Sequence, residues 1–517
     1  MMLLLLAVAV TAQSPRPRPM GYEFTIALPD TGTIIHARAA IHYRRGRSSD
    51  DTLRLDLVGM TVDSVREAWF AHDGRVLRVV PNHWFTGENT LLIDYHGAPQ
   101  DGLLIGQDPH GRRVAFADNW PERARYWLPV VDAPSEKARV RFTVVAPPSW
   151  KYLANGTPVY GVNGGSKWLI GWDEAHPIPT YTMVLAAGDF AVSVHGSVRD
   201  GNRLIPIQVW TYPEDSAYAD SVPFRRATEI VGAMQRLVGP FPYEKLAHVE
   251  SATKFGGMEN ASAIFYAERP YLERRMGEGV VRHETAHQWF GDAVTERDWH
   301  HLWLSEGFAS YFDWVIGAAL DGDSVLEHGM RANAESYFRS SVVDRPIVDT
   351  AEHDVLKLLN ANNYQKGSWV LHMLRGQVGD SAFWRGIREY YGTYRDSTAL
   401  SGDLERIMEQ ASGQTLDWFF RQWLYQPGYP KLDCRWAYDG ASHRVALTVS
   451  QTQPADWGVF RLPQVAVEIR GEGGATLRRT IAVAGRETHV TFGVSVAPAD
   501  LRVDPDGRLL AQPSVRR

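Results

Sequence analysis

The sequence predicts a multidomain α+β protein with a β-rich N-terminal part, an α-rich middle part and a C-terminal β-sandwich. Three observations indicate this. The chain has 517 residues, which exceeds the roughly 100–200 residues of one domain. Apolar residues alternate with a period of two before about residue 205 and again after residue 428, and between these positions they recur at helical spacing. We therefore expect domains at 20–205, 206–428 and 429–517.

The two β-rich parts are predicted from short alternating runs bounded by Gly, Pro, Asn and Asp. In the first part the clearest runs are Tyr22 to Leu28, Leu53 to Leu57 and Val140 to Val144. After Pro427 the alternation returns, most clearly from Val445 to Val449. We expect the first domain to be architectural, because no cluster of chemically reactive side chains lies in it.

The middle part changes to helical periodicity from about Pro223. A helix is predicted from Phe224 to Leu237, where Gly239-Pro240 stops it. Further helical stretches are predicted at roughly 278–291, 303–320, 364–378, 380–392 and 401–425.

Composition and charge exclude several classes of protein. Hydrophobic residues make up 44% of the chain and charged residues 22%, which is typical of a globular protein. The net charge of -6 gives no basic surface for nucleic acid, so we expect no nucleic-acid partner. The single cysteine, Cys434, excludes an internal disulfide and a cysteine-based metal site.

The N-terminal segment is typical of a secretory signal peptide. The apolar run from Leu3 to Val10 is followed by small residues and is too short to span a bilayer, so no stable membrane span is expected. We expect residues 1–19 to be signal peptide and linker, and the protein to be periplasmic, extracellular or in the cell envelope. No Lys or Arg precedes the run, so a cytoplasmic location and a start further upstream stay open.

The strongest chemical signal is His283-Glu284-Thr285-Ala286-His287. Four residues along a helix correspond to about 400° of rotation, so both imidazoles lie on one face and can bind one metal ion. Glu284 then lies beside the metal without binding it. The alternative is a pair of hydrogen-bonded core histidines.

A catalytic zinc site requires a third protein donor, and Glu306 is the candidate. It follows His287 by nineteen positions, which leaves room for a turn and the start of a second helix. Its neighbours, including Trp303 and Phe308, are apolar, and an unpaired carboxylate among them would be costly. Metal binding is therefore a better interpretation than an exposed surface residue.

Four motifs in order resemble the gluzincin zinc aminopeptidases, the family of aminopeptidase N and leukotriene hydrolase, in a short form without the C-terminal helical domain. The zinc pattern alone also admits thermolysin-like endopeptidases. The segment Gly256-Gly257-Met258-Glu259-Asn260 separates the two groups. The remaining matches are Gly239-Pro240-Phe241-Pro242-Tyr243 and Tyr364-Gln365-Lys366-Gly367.

The resemblance implies a thermolysin-like α-rich catalytic domain at 206–428 and one Zn²⁺ per chain. It assigns His283, His287 and Glu306 as zinc ligands. It assigns Glu284 as the general base that accepts the proton of a zinc-activated water. Tyr364 would stabilise the oxyanion.

The resemblance also implies a free-N-terminus peptide as the substrate. Glu259 would pair with the substrate's α-ammonium, so that only the first peptide bond reaches the metal. Gly256 and Gly257 would let an extended peptide approach the backbone, beside Met258 and Asn260. The sequence departs from the family in two ways. The Gln or Glu of the first domain that helps to bind the substrate amine is missing, and Asp118 or Glu122 are the candidates to replace it. The helical domain that closes the active-site cavity in larger relatives is also not expected, so whether the cavity is closed stays open.

Alternative functions on the same scaffold are endopeptidase activity and an epoxide hydrolase-type reaction. A non-catalytic interaction protein is a third possibility, which the presence of all ligands, base and tyrosine disfavours. The preferred N-terminal residue, the physiological substrate and the oligomeric state do not follow from the sequence.

Overall fold

The computed structural model describes residues 17–46, 51–83, 87–471 and 474–517. The expected signal peptide at Leu3 to Val10 lies outside the described residues. The chain forms two compact units, which interleave along the sequence. The first comprises 1–196, 205–220 and 243–275, and the second 197–204, 221–242 and 276–517. The predicted boundaries at residues 205 and 428 stay a prediction.

The N-terminal part is built from strands and short turns. In chain order the strands are β1 (Arg18–Ala27), β2 (Ile35–Arg44), β3 (Leu53–Asp56), β4 (Thr61–Val65), β5 (Ala68–His72), β6 (Val76–Pro81), β7 (Glu88–Gly97), β8 (Leu103–Gln107), β9 (Arg113–Ala117), β10 (Lys137–Ala146), β11 (Lys151–Ala154), β12 (Thr157–Asn163), β13 (Trp168–Pro179) and β14 (Leu185–Gly188).

The main sheet of this part has the order β12-β13-β10-β1-β2-β7-β4 within the described residues. Strand β1 pairs antiparallel with β2 and parallel with β10, with Phe24 opposite Phe142. Along β1 the residues Tyr22, Phe24 and Ile26 are buried, as the alternation predicts. The other two sheets of this part are β11-β14-β9-β8 and β3-β6-β5.

The middle part begins with a mixed sheet and continues with helices. Its strands are β15 (Ala191–Asp200), β16 (Arg203–Thr211), β17 (Leu246–Ser251), β18 (Gly257–Met258), β19 (Ala263–Ala267), β20 (Val294–Glu296) and β21 (Ser397–Ala399). Its helices are α1 (Ser216–Ser221), α2 (Ala227–Leu237), α3 (Glu268–Leu272), α4 (Glu278–His287), α5 (Trp303–Asp321), α6 (Ser324–Phe338), α7 (Gly367–Val378), α8 (Asp380–Tyr394), α9 (Ser401–Ser412) and α10 (Asp417–Phe420).

The sheet of this part has the order β15-β16-β17-β19-β18 within the described residues, so β18 lies at its edge. Strands β16, β17 and β19 run parallel, and β18 pairs antiparallel with β19. The short strands β20 and β21 pair parallel with each other.

Several predicted helices differ from the observed ones at their ends, and one of them is broken. The helix predicted at 278–291 ends at His287, and the one predicted at 364–378 begins at Gly367. The helix expected from Phe224 begins at Ala227. The stretch expected at 401–425 is broken, because Gly413 adopts φ +70 and ends α9. After α10 the chain forms a π-helical turn at Arg421–Tyr425. None of the described helices is both long and apolar enough to cross a membrane.

The C-terminal part returns to strands. They are β22 (Lys431–Asp439), β23 (Arg444–Gln451), β24 (Leu462–Gly471), β25 (Thr476–Val483), β26 (Glu487–Gly493), β27 (Pro498–Val503) and β28 (Gln512–Arg516). Within the described residues they form the sheets β26-β23-β22-β28 and β25-β24-β27. Alternate residues such as Val445, Leu447 and Val449 are buried, as two facing sheets require. The predicted fold class is confirmed.

Candidate active site

Helix α4 places His283 and His287 one turn apart on the same face. Their Nε2 atoms are 3.2 Å apart and their ring centroids 4.8 Å apart. Val281 and Ala286 of the same helix are buried and anchor it in the core. The spacing of four residues accounts for the shared face, because it corresponds to little more than one helical turn.

Helix α5 brings a carboxylate to this pair. Oε2 of Glu306 lies 3.3 Å from Nε2 of His283 and 3.4 Å from Nε2 of His287. Aromatic packing behind the site holds α4 and α5 together, with the rings of Phe290 and Phe308 4.4 Å apart. The structure therefore brings together the three side chains for which the sequence predicts a metal.

The three donor atoms fit a zinc ion. They form a nearly equilateral triangle with edges of 3.2, 3.3 and 3.4 Å. At the usual zinc distances, two ligand atoms of a tetrahedral site are about 3.4 Å apart, and two His with one Glu is a known catalytic donor set. Among the described residues these three side chains are each able to offer one ligand atom to a single ion.

The protonation state of Glu306 also suits a metal ligand. Burial raises the pKa of its carboxyl, and the neighbouring His283 and His287 lower it further than burial raises it. The net effect holds the pKa well below the ordinary value of a glutamic acid. Glu306 is therefore ionised, which is the form that binds a cation.

Two hydrogen-bonding partners orient the imidazole of His287. Its Nδ1 lies 3.2 Å from the carbonyl oxygen of Phe290 and 3.0 Å from Oγ of Ser305. A proton on Nδ1 is donated to the carbonyl, so Nε2 keeps its lone pair for the site. Gly291 is required nearby, because a Cβ at its position would lie 2.5 Å from the Ser305 hydroxyl. Ser305 directly precedes Glu306 in the sequence, and its contact with His287 is visible only in the tertiary structure.

Tyr364 lies in a π-helical turn, Asn362–Lys366, directly before α7. Its hydroxyl donates a hydrogen bond of 2.7 Å to Oε1 of Glu306. Its ring lies parallel to that of His283, with the centroids 6.1 Å apart. Isolated π-helical turns often occur at functional sites, because the extra residue redirects side chains. Here the turn directs the tyrosine toward the donor triangle.

Two glycines, Gly307 in α5 and Gly367 in α7, allow these two helices to pack closely against each other. A Cβ on Gly307 would lie 2.9 Å from Cα of Gly367, and a Cβ on Gly367 would lie 2.9 Å from Cα of Gly307. The backbones are therefore in direct contact, immediately beside Glu306 and close to Tyr364. No sequence pattern identified this pair, although each glycine stands next to a predicted site motif.

Glu284 follows His283 in α4 and is buried. One of its carboxylate oxygens lies within 4.8 Å of a ring nitrogen of His287. It therefore lies beside the donor triangle without belonging to it, which is the position that a general base requires.

The segment that carries Glu259 belongs to the first compact unit. Strand β18 (Gly257–Met258) forms the edge of its sheet, pairing with Phe265 and Tyr266. Gly256 is exposed, Glu259 is buried, and Asn260 is fully buried. An edge strand that leads to a buried carboxylate is compatible with an extended peptide beside it.

Two further histidines, His300 and His301, lie between α4 and α5 and have partners of their own. His300 lies 2.6 Å from Asp298 and 3.0 Å from the carbonyl of Glu352. His301 lies 2.7 Å from the hydroxyl of Ser401. Both imidazoles are therefore engaged in structural hydrogen bonds.

The two candidates for the missing amine-binding residue are also engaged. Asp118 is fully buried and forms an ion pair of 2.9 Å with Arg123. Glu122 forms an ion pair of 2.7 Å with Arg125. Both carboxylates thus have cationic partners within the first unit.

Comparison with known proteins identifies relatives of this chain. The family model described as "Peptidase family M1 domain" matches residues 226–423. The model described as "Peptidase M1 N-terminal domain" matches residues 42–182. Probable aminopeptidase 2 of Sulfurisphaera tokodaii is 27% identical over 413 residues, which is 74% of this chain and 51% of the relative. The chain spans about half the length of the curated relatives it matches.

Two solved structures share the fold. Aminopeptidase A of Legionella pneumophila, solved with aspartic acid, superposes with a TM-score of 0.81 at 17% identity, over 98% of this chain and 60% of that one. The M1 zinc metallopeptidase of Deinococcus radiodurans superposes with a TM-score of 0.70 at 25% identity, over 81% of this chain and 96% of that one. The predicted gluzincin resemblance is confirmed, and the chain belongs to peptidase family M1.

Proposed function

We propose that this chain is a zinc-dependent aminopeptidase that hydrolyses the first peptide bond of peptides with a free N-terminus. The observation that carries the proposal is the donor triangle of His283, His287 and Glu306, with edges of 3.2 to 3.4 Å and Tyr364 hydrogen-bonded to it. Membership of family M1 supports it, and so do the names of the relatives, which are aminopeptidases or zinc metallopeptidases.

The three side chains of the triangle would hold the ion. Bound there, Zn²⁺ would supply a Lewis acid that polarises the scissile carbonyl and would make the attacking water more acidic. Ser305 and the carbonyl of Phe290 keep the His287 imidazole in the orientation that this binding needs.

Glu284 acts as the general base. Its carboxylate accepts a proton from the attacking water and then gives it to the departing amine. Its position supports the assignment, because Glu284 is buried and one of its carboxylate oxygens lies within 4.8 Å of a ring nitrogen of His287.

Tyr364 donates its hydroxyl hydrogen bond to the oxyanion that develops on the scissile carbonyl. In the structure this hydroxyl donates a hydrogen bond to Glu306. During the reaction its acceptor therefore changes from the Glu306 carboxylate to the oxyanion. A single donor of this kind typically stabilises a transition state by about 3 kcal/mol.

Glu259 restricts the reaction to the N-terminus. Its carboxylate pairs with the α-ammonium of the substrate, and a charge-assisted hydrogen bond of this kind is strong in a buried position. A peptide without a free amine cannot form this charge-assisted hydrogen bond, and such a substrate is therefore rejected.

Initial rates over a panel of aminoacyl-coumarin amides test the proposal. We expect hydrolysis of free-amine substrates, loss of the activity with a chelator and recovery with Zn²⁺. The N-acetylated form of the best substrate should not be cleaved. Protein carrying Glu284→Gln, prepared in parallel, controls for contaminating peptidases.

The rival functions give different results in the same experiment. Efficient cleavage of N-acetylated or internal peptide bonds would favour an endopeptidase. Turnover of a lipid epoxide without turnover of any aminoacyl amide would favour an epoxide hydrolase-type reaction. Activity that resists the chelator would contradict the zinc assignment.

A further inference from the structure

The backbone that follows Glu259 is held by side chains that are distant in sequence. From Asn260 to Ser262 each carbonyl oxygen accepts a hydrogen bond. The donors are the backbone N–H of Ala263 to Asn260 (2.9 Å) and Nδ2 of Asn155 to Ala261 (2.6 Å). The carbonyl of Ser262 accepts from two donors, the backbone N–H of Ala247 (3.1 Å) and Nζ of Lys245 (3.0 Å). Three consecutive fixed carbonyls leave this segment little freedom, and its conformation determines where the preceding carboxylate points.

Ser262 occupies an unfavourable backbone conformation within this segment. Its φ is +61, a value that residues with a Cβ seldom adopt, and the residue is fully buried. Its hydroxyl accepts a hydrogen bond of 2.8 Å from the N–H of Gly156 and donates one of 3.1 Å to Glu174. Such a conformation persists only where the surroundings over-determine it, which these contacts do.

Lys245 contributes an amine to this cluster. The residue is almost fully buried, and its Nζ lies 3.0 Å from the carbonyl and 3.3 Å from the hydroxyl of Ser262. The amine also lies over the ring of Trp172, 5.5 Å from its centroid. Burial lowers the pKa of the Lys245 amine and raises the pKa of the Glu174 carboxyl. Burying both groups is costly, so a purely structural role would be served better by apolar residues.

We propose that Lys245 is a positioning residue for Glu259. Through the carbonyl and hydroxyl of Ser262, Lys245 fixes the turn that follows Glu259 and so sets the direction of the carboxylate that binds the substrate amine. The inference rests on the proposed function and deepens it, since it assigns the preference for a free N-terminus to a buried network as well as to one carboxylate.

A double-mutant cycle between Lys245 and Glu259 tests the inference. Lys245→Met is made in the wild-type chain and in the Glu259→Gln variant, and kcat and KM are measured on the best aminoacyl-coumarin amide. We expect Lys245→Met alone to raise KM about tenfold with kcat within about twofold. In the Glu259→Gln background the same change should move KM by less than about twofold, because the carboxylate to be positioned is already lost.

A merely structural lysine gives a different pattern. Lys245→Met would then change KM by the same factor in both backgrounds, or lower kcat alone, and either result overturns the inference. Asp132→Asn is the matched control, since it weakens another buried ionic contact of the first unit, that with Arg125. It should lower Tm and leave KM unchanged.

Two further measurements keep the test decisive. If Lys245→Met does not fold, Ser262→Ala replaces it in the same cycle, because it removes the hydroxyl that contacts both Lys245 and Glu174. If the wild-type chain is active and Glu259→Gln leaves KM unchanged, the role of Glu259 in the proposed function fails, and the inference about Lys245 fails with it. If Glu259→Gln raises KM and the cycle is additive, only the inference fails.

Discussion

The hydroxyl of Tyr364 donates a 2.7 Å hydrogen bond to Oε1 of Glu306, while Oε2 of the same carboxylate faces His283 and His287. The tyrosine is therefore coupled to the metal-binding residues through one side chain. In the proposed mechanism this hydroxyl leaves Glu306 and donates to the oxyanion of the substrate.

Tyr364→Phe should lower kcat with little change in KM. The variant keeps the ring that lies parallel to His283 and loses only the donor. We expect kcat to fall about 100- to 1000-fold, the usual effect of removing one oxyanion donor. Steady-state kinetics with parallel zinc analysis measure this. A kcat within about twofold of the wild type would remove the tyrosine from the mechanism.

Glu284→Gln should retain the metal and lose hydrolysis. The amide has nearly the same shape as the carboxylate but cannot accept the proton of the attacking water. Zinc content per chain should match the wild type, and turnover should be undetectable. Wild-type turnover in a metal-loaded variant would contradict the assignment of the general base.

Gly307→Ala should destabilise the protein and reduce activity together. The added Cβ would lie 2.9 Å from Cα of Gly367, so α5 and α7 must separate beside Glu306 and Tyr364. Overpacking of this kind costs about 1–3 kcal/mol. Gly376→Ala on the exposed side of α7 is the matched control, since its Cβ meets nothing within 4 Å. It should be neutral or slightly stabilising, because alanine favours helix more than glycine.

Thermal unfolding and kcat measured on both variants check this prediction. Equal Tm values for Gly307→Ala and Gly376→Ala would show that the two helices tolerate a wider separation than the structure indicates.

Lys366→Met should change how stability depends on pH. Lys366 is fully buried, and its Nζ donates a hydrogen bond of 3.0 Å to the carbonyl of Gln426. The same Nζ lies 6.0 Å from the centroid of the Tyr337 ring. Burial lowers the pKa of Lys366 from 10.5 to about 7. Between these two values the unfolded chain binds the proton and the folded chain does not, so this lysine makes stability rise with pH in that window.

The variant lacks this contribution. Relative to the wild type, its Tm should therefore fall as the pH rises from 7 to about 9. The difference in the free energy of unfolding between the two proteins should change by at most about 1.4 kcal/mol per pH unit. Tm measured for both proteins across that range tests the sign. A constant difference would show that the buried amine stays protonated.

Local patterns predicted most of the regular structure around the site. Helices expected at 278–291 and 303–320 are observed as Glu278–His287 and Trp303–Asp321, because buried apolar residues recur there at helical spacing. The π-helical turns at Asn362–Lys366 and Arg421–Tyr425 were not predicted. Their extra residue per turn depends on what packs against them, and no local propensity encodes it.

The sequence by itself determined the chemistry available to the site: two imidazoles one helical turn apart, an adjacent carboxylate in Glu284, and a second carboxylate in an apolar helix. Those features depend on residue type and short spacing. Only the tertiary structure decided that Glu306 reaches both imidazoles, that Ser305 contacts His287, and that α5 and α7 touch at Gly307 and Gly367. These relations join segments far apart in the chain, and the free energy that selects them comes from packing the whole core rather than from any local pattern.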